Sequence, residues 1–469
     1  MSKLFDPKTT LCIVFVAAMV MNGVDATIVN PAMLTISADF GVSPAATNLI
    51  EVGFLVSFAI VLPVAGWLGD RWGTKRVFLT ALSIFTLASA LCGLTWDLAS
   101  LVVFRVLQGA SGGLLTPVGM TMLFRAFPPE ERLSLSRILT IPTALAPALG
   151  PILGGFLTEY LSWRWAFYVN VPIGIAAVLF GGFLLTADSD VEAGSFDRWG
   201  FVLATPGFGL LLYALGDGAA QGWTSPAILA TGLGGLVLVV VLIVVELRTP
   251  EPMLDLRLLR DRVFGNATLI AVCAAGGLLG MLYVFPLMYQ DAIGASALDS
   301  GLTVFPEALG LMLASQLVDW SYSRLGARRL ILVGLVCAFV TFGAMSLVDA
   351  TTNRWLVRLL LFCVGFFLGH AVIAVQTIAF ATIDGAAMGR AMSLFNVLRQ
   401  IGGALGVALA ASVMAGAGST QPAGTGSPDL AAYQAALLAT TAFLLIALLV
   451  ATRIQNADMP SLNLAVESN

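Results

Sequence analysis

The chain has 469 residues, 58% of them hydrophobic and only 11% charged, with 48 glycines, a formal net charge of −4 and a mean hydropathy of +0.94. That composition excludes a soluble enzyme, a nucleic-acid binder and a disordered chain, each of which needs far more polar sequence. At about 20 residues per bilayer crossing, the apolar residues and glycines suffice for at most about 16 spans.

Cutting the sequence at its polar and charged clusters leaves fourteen apolar stretches: 11–35, 47–68, 77–95, 99–124, 135–158, 165–186, 200–215, 226–246, 263–290, 299–319, 328–347, 354–377, 391–415 and 433–452. In lipid every backbone polar group must be satisfied within its own segment, so these stretches are expected as helices. The first is too long for a cleaved leader, has no small-residue cleavage pattern and runs on into another span. Lysine and arginine in short loops set the orientation. With the amino terminus inside, Lys3, Lys8, Arg71, Lys75, Arg76, Arg257, Arg260, Arg324, Arg329, Arg390 and Arg453 share the cytoplasmic side, and little beyond Arg164, Arg354 and Arg358 faces out. Both termini are therefore expected inside.

Several chemistries drop out. Cys12, Cys92, Cys273, Cys337 and Cys363 all lie in apolar stretches without a Cys-x-x-Cys pair and read as packing residues. His370 is the single histidine, so no metal site is expected, and in an apolar helix it reads first as a hydrogen-bonded packing residue. None of the three lysines stands in a phosphate-loop context, so neither a nucleotide nor another cofactor is expected.

Arg71-Trp-Gly-Thr-Lys-Arg76 after the second span has an echo, Arg324-Leu-Gly-Ala-Arg-Arg329, after the tenth. Two six-span halves with two spans inserted between them place the copies there. The expected units are a six-helix bundle over 1–190, the inserted pair over 191–250, and a second bundle with a short tail over 251–469. Half-molecule repeats of this kind build alternating-access transporters with a midplane cavity between the halves.

Asp25 lies about 14 positions into the first helix, roughly 20 Å from the starting face. An isolated carboxylate there is costly, so it is expected to ionise only when water or a cation reaches it. It reads as a proton carrier, against a carboxyl held permanently in a helix interface. Arg105, about 9 Å into the fourth span, is at a depth to reach it, against a static salt bridge or an arginine turned to the surface. Glu51 and Glu307 are further buried acids suited to a cationic substrate or a second proton, with Glu51 equally placed as a solvated helix end. Asn396 and Gln400, four apart with Arg399 beside them, share a face and serve either substrate or a neighbouring helix. Tyr283, Phe285 and Tyr289 can wall an aromatic pocket or simply pack. The pairs Gly109/Gly113 and Gly402/Gly406 read as helix contacts.

Longer motifs carry a family resemblance. Gly66-Trp-Leu-Gly-Asp-Arg-Trp-Gly-Thr-Lys-Arg76 resembles the loop between spans 2 and 3 of the major facilitator superfamily, which implies that Gly66, Gly69, Asp70, Arg71, Gly73, Lys75 and Arg76 latch the outward-facing state. Arg105-Val-Leu-Gln-Gly-Ala-Ser-Gly-Gly113 is similar to that family's fourth-span motif, whose arginine is implicated in proton transfer. Ala146-Pro-Ala-Leu-Gly-Pro-Ile-Leu-Gly-Gly155 resembles the antiporter motif of drug:proton exchangers, with Pro147, Gly150, Pro151, Gly154 and Gly155 in place and Ala146 where a glycine is usual. Asp25-Ala-Thr-Ile-Val-Asn30, Trp163-Arg-Trp-Ala-Phe-Tyr-Val-Asn-Val-Pro-Ile-Gly174 and Ser393-Leu-Phe-Asn-Val-Leu-Arg-Gln-Ile-Gly-Gly403 are similar to the fourteen-span drug:proton antiporter branch.

The resemblance covers nearly the whole chain. It implies an all-α polytopic protein of fourteen transmembrane helices in a bacterial cytoplasmic membrane, which exports amphipathic, often cationic compounds in exchange for protons. An exporter of an endogenous metabolite, lipid or siderophore has the same architecture. The expected partners are small amphipathic substrates, protons and membrane lipids, with no nucleic acid, and the expected state is a monomer.

Overall fold

The computed structural model describes residues 7–127, 146–147, 149–185, 197–250, 252–383, 387–417 and 430–454. Within them the chain is all-helical. Helices α1 (Pro7–Ile28), α2 (Met33–Phe40), α3 (Asn48–Val61), α4 (Val64–Trp72), α5 (Thr74–Gly93), α6 (Leu98–Ala126), α7 (149–160), α8 (Trp165–Tyr168) and α9 (Asn170–Leu184) make the first half. The paired α10 (Arg198–Gln221) and α11 (Pro226–Arg248) follow. The second half is α12 (Arg262–Asp291), α13 (Ala297–Leu325), α14 (Ala327–Met345), α15 (Arg354–Ala379), α16 (Met388–Gly416) and α17 (Leu430–Ala451). Thirteen helical stretches among the described residues are long and apolar enough to cross a membrane. The expected fifth span, 135–158, lies partly outside the described residues, and α7 is its later part.

Helix starts follow from local chemistry. Asp97 caps α6 through the amide of Ser100 at 2.8 Å, and the Ser100 hydroxyl accepts from the Asp97 amide in return. The side chains of Asp197, Ser225, Asp261, Ser296 and Asn353 each accept from a first-turn amide at the starts of α10, α11, α12, α13 and α15. The sequence echo is a repeated turn. Gly73 between α4 and α5 takes φ 83° and ψ 133°, and Gly326 between α13 and α14 takes φ 73° and ψ 159°, a region closed to residues with a Cβ.

Lipid tails are as apolar as leucine, so these helices associate through close backbone approach. Gly109 and Gly113 of α6 press on the carbonyls of Phe54 and Phe58 in α3, and Gly402 and Gly406 of α16 press on those of Val272 and Gly276 in α12. In the first half α1 lies on α6 and α9, and α5 on the same two helices. In the second, α12 lies on α15, α16 and α17, and α13 on α15. The inserted α10 packs against α3 and α16, one helix from each half, while α11 buries only Ile228, Gly235, Leu242 and Glu246. The inserted pair therefore flanks the seam, with α11 turned outward to lipid.

The two faces differ. One carries the Gly73 and Gly326 turns and both described chain ends, with Lys8 4.9 Å over the Phe127 ring and Arg262 bonded to the Arg453 carbonyl. This is the basic face. On the opposite face the halves are joined. The Tyr283 hydroxyl donates to the Pro44 carbonyl at 2.9 Å, the Gln290 amide to Pro31 at 2.9 Å, and the Leu298 amide to Glu159 at 3.0 Å. Gly155 of α7 rests on Ala297 and Leu298, and Gly301 on Pro151.

Candidate functional site

Asp25, one turn before the end of α1, is fully buried and receives three donors. Arg105 Nη1 lies 2.5 Å from its Oδ2, while Gln108 Nε2 and Asn170 Nδ2 lie 2.8 and 2.9 Å from its Oδ1. α1, α6 and α9 each contribute to the cluster. Arg105 also donates to Gln108 Oε1 at 2.7 Å, and Gln108 to Ser89 of α5 at 2.6 Å. The guanidinium is 4.3 Å from the Phe54 ring centroid and 5.8 Å from that of Phe167, so aromatic faces cover what the carboxylate does not. Paired charges with their remaining hydrogen-bonding capacity filled are the form in which ions persist in such surroundings. Gln108, Asn170 and Ser89 were not singled out from the sequence. Gln108 stands three residues from Arg105, hence on the same helix face, which was the available signal.

Two unsatisfied acceptors flank the cluster. Asn22 Oδ1, three residues before Asp25, and Glu51 Oε2, beside the Ile50 carbonyl that faces Arg105 Nε at 3.5 Å, are buried and take no partner among the described residues.

A second feature is a cavity of about 860 Å³ on the basic-face side, between α3, α4, α6 and α16. Phe58, Trp67, Pro117 and Met120 wall one side. Ser393, Asn396, Arg399 and Gln400 project from α16 on the other, and Asp197 and Met253 stand with them. Its size suits a small ligand. The sequence-predicted Asn396 and Gln400 are thus in the cavity. Glu51, Glu307, Tyr283 and Tyr289 do not line it. Glu307 is buried where α13 meets Gly365 of α15, and Tyr283 belongs to the junction on the opposite face. Tyr289 is 9% exposed and stacks on Phe285 at 5.3 Å. His370 is engaged by the Phe366 carbonyl at 2.8 Å and the Ser321 hydroxyl at 3.3 Å, the packing arrangement expected of it.

The loop motif closes α4 onto α5. Gly69 packs on Thr74, Lys75 binds the Gly182 and Leu185 carbonyls at the end of α9, and Gly66 lines the cavity. A cation on the last carbonyls of a helix is favourably placed. In the antiporter-like motif, Gly150 and Gly154 press on Thr27 and Ile28 of α1, and Thr27 donates to the Pro147 carbonyl at 2.9 Å. The motif thus packs the α1 stretch just beyond Asp25, and through Gly155 and Pro151 it also touches the second half.

Residues 15–407 match the sequence profile of the Major Facilitator Superfamily. The chain belongs to that superfamily. As a major facilitator protein it is a transporter and crosses the membrane many times. It is 32% identical over 400 residues to the "Multidrug resistance protein B homolog" of Mycobacterium tuberculosis, covering 84% of this chain and 74% of that one. It is 31% identical over 402 residues to the "Multidrug export protein EmrB" of Haemophilus influenzae, covering 84% and 78%. Among solved structures, nucleoside transporter NupG superposes with a TM-score of 0.68 at 10% identity, over 97% of this chain and all of the other. An inward-facing, unoccupied bacterial homologue of the human lysosomal transporter Spinster gives 0.66 at 17% identity, over 97% and 99%. These likenesses carry the fold.

Proposed function

We propose that this transporter is a proton-coupled antiporter that exports amphipathic compounds across a bacterial cytoplasmic membrane, with the basic face inside. The observation that carries the reading is the separation of two sites. A sealed carboxylate held by Arg105, Gln108 and Asn170 lies within the first bundle, and the cavity lies at the seam between α6 and α16. A proton on Asp25 removes the charge that holds Arg105. Because α1 carries Asp25 and also packs the antiporter-like motif that touches the second half, that change can reach the junction on the opposite face. The relatives named as multidrug resistance and export proteins support export of small amphipathic molecules. With the basic face cytoplasmic, the cavity as described opens inward.

The energy source is the proton gradient. One charge crossing 100 mV releases about 2.3 kcal/mol, enough for a substrate gradient of roughly fiftyfold. Asp25→Asn in proteoliposomes with an imposed pH gradient tests the reading. Gradient-driven substrate movement is expected to disappear while the protein still inserts and binds. Undiminished active transport by the variant would remove Asp25 from the mechanism.

A further inference from the structure

We propose that the cavity selects amphipathic anions, with Arg399 binding the acidic headgroup. This deepens the export reading and rests on it for the transport step. The expectation of cationic substrates leans on Glu51 and Glu307, and neither lines this cavity. The acid that does, Asp197, has both oxygens engaged, Oδ1 by the Gly200 amide at 2.8 Å and Oδ2 by the Met253 amide at 3.2 Å. Arg390, at the start of α16, is paired with Asp255 at 3.4 Å.

Arg399 differs from both. It stands eleven residues into α16, about 17 Å along the helix, near the middle of a hydrocarbon layer about 30 Å thick. Its contact among the described residues is the amide oxygen of Asn396 at 3.4 Å, with no carboxylate. A guanidinium offers parallel N–H groups that fit a carboxylate, sulfonate or phosphonate in a fork. The neighbours on α16 are also donors. Among the described residues the buried Ser393 hydroxyl has no hydrogen-bond partner, and Gln400 lines the cavity beside it. Phe58, Trp67 and Met120 across the cavity supply the apolar wall for the rest of the molecule. Donors at one side, apolar surface at the other and a guanidinium with no paired carboxylate among the described residues describe a site for an acid with a hydrophobic body.

Charge bookkeeping gives a second consequence. A proton moving in against an anion moving out carries two positive charges inward per cycle, whereas exchange for a monovalent cation carries none. Export of an anion is therefore driven by the membrane potential as well as by the pH gradient.

The test uses three probes of one shape, an arylalkyl carboxylate, its neutral methyl ester and the matching trimethylammonium compound, measured by binding in detergent and by transport in proteoliposomes. The full-length protein is expected to bind the carboxylate at least tenfold more tightly than the ammonium compound. A potassium–valinomycin potential alone should drive carboxylate export. Arg399→Gln is expected to lower carboxylate affinity at least tenfold without weakening the ammonium compound, and Arg399→Lys to fall between. Equal or tighter binding of the ammonium compound by the unaltered protein overturns the proposal whether or not the variants fold. So does an unchanged carboxylate affinity in a monodisperse Arg399→Gln protein. Proton-driven export of the ammonium compound without carboxylate binding leaves the export reading standing and sinks this one. Carboxylate-selective binding without proton-driven transport does the reverse.

Discussion

The guanidinium of Arg105 and the carboxylate of Asp25 meet at 2.5 Å with 2% and 0% of their side chains exposed. Removing one member of such a pair leaves the other buried and uncompensated, at a cost of about 3–5 kcal/mol. Arg105→Met is therefore expected to lower the unfolding temperature in detergent sharply, and Asp25→Asn combined with Arg105→Gln to recover part of the loss. If Arg105→Met melts with the unaltered protein, the pair contributes no stability and its role is confined to transport.

Tyr283 is the pin on the face opposite the basic loops. Its hydroxyl donates to Pro44 at 2.9 Å, with Ala45 at 3.1 Å and Thr47 at 3.2 Å alongside. Tyr283→Phe keeps the ring and loses the bond, worth about 1 kcal/mol net, or roughly fivefold in a two-state population. The variant should spend more time open on that face. Spin-label distances between the 44–47 segment and the end of α12 would lengthen in part of the population, and an unaltered distribution would place the closure elsewhere, at Gln290 or Gly301.

The turns at Gly73 and Gly326 should respond alike, because their backbones share a region that a Cβ disfavours. Alanine at either position is expected to cost about 1–3 kcal/mol. Gly66, which is helical with open space around its Cβ position, should accept alanine far more cheaply. Comparing the three unfolding temperatures separates backbone strain from any general intolerance of the loop. Equal losses at Gly66 and Gly73 would defeat the argument.

Much of this architecture was legible because membrane helices announce themselves by length and hydropathy, and because Asp25 and Arg105 are too costly in lipid to be incidental. Facing was not legible. Periodicity reveals a buried side only when the other side is polar, and here both sides are apolar, so nothing in the chain said that Tyr283 would reach Pro44 while Asn396 would reach the cavity. Asn170 was hidden for a related reason, since an uncharged amide in a transmembrane helix gives no sign of which distant neighbour it serves, whereas Gln108 had its spacing from Arg105 as a signal. The weight of Arg399 was missed because pairing is a tertiary fact. Beside it in sequence stand Asn396 and Gln400, and only the fold shows that no carboxylate pairs with it among the described residues.

The linker between α11 and α12 offers a contrast between two acids. Glu246 is 1% exposed and its Oε2 accepts the Leu254 amide at 3.0 Å, whereas Asp255 pairs with an Arg390 whose side chain is 48% exposed. Losing the first acceptor strands a buried N–H, at about 1–3 kcal/mol, while a 3.4 Å pair between a buried Asp255 and a half-exposed Arg390 is worth about 1 kcal/mol or less. Glu246→Ala should thus destabilise more than Asp255→Ala. Amide exchange at Leu254 should rise strongly in the first variant and little in the second, and high salt should matter only to the pair. The opposite ranking would mean that Arg390, at the mouth of the cavity, anchors the linker, and that the Glu246 contact is a consequence of that anchoring.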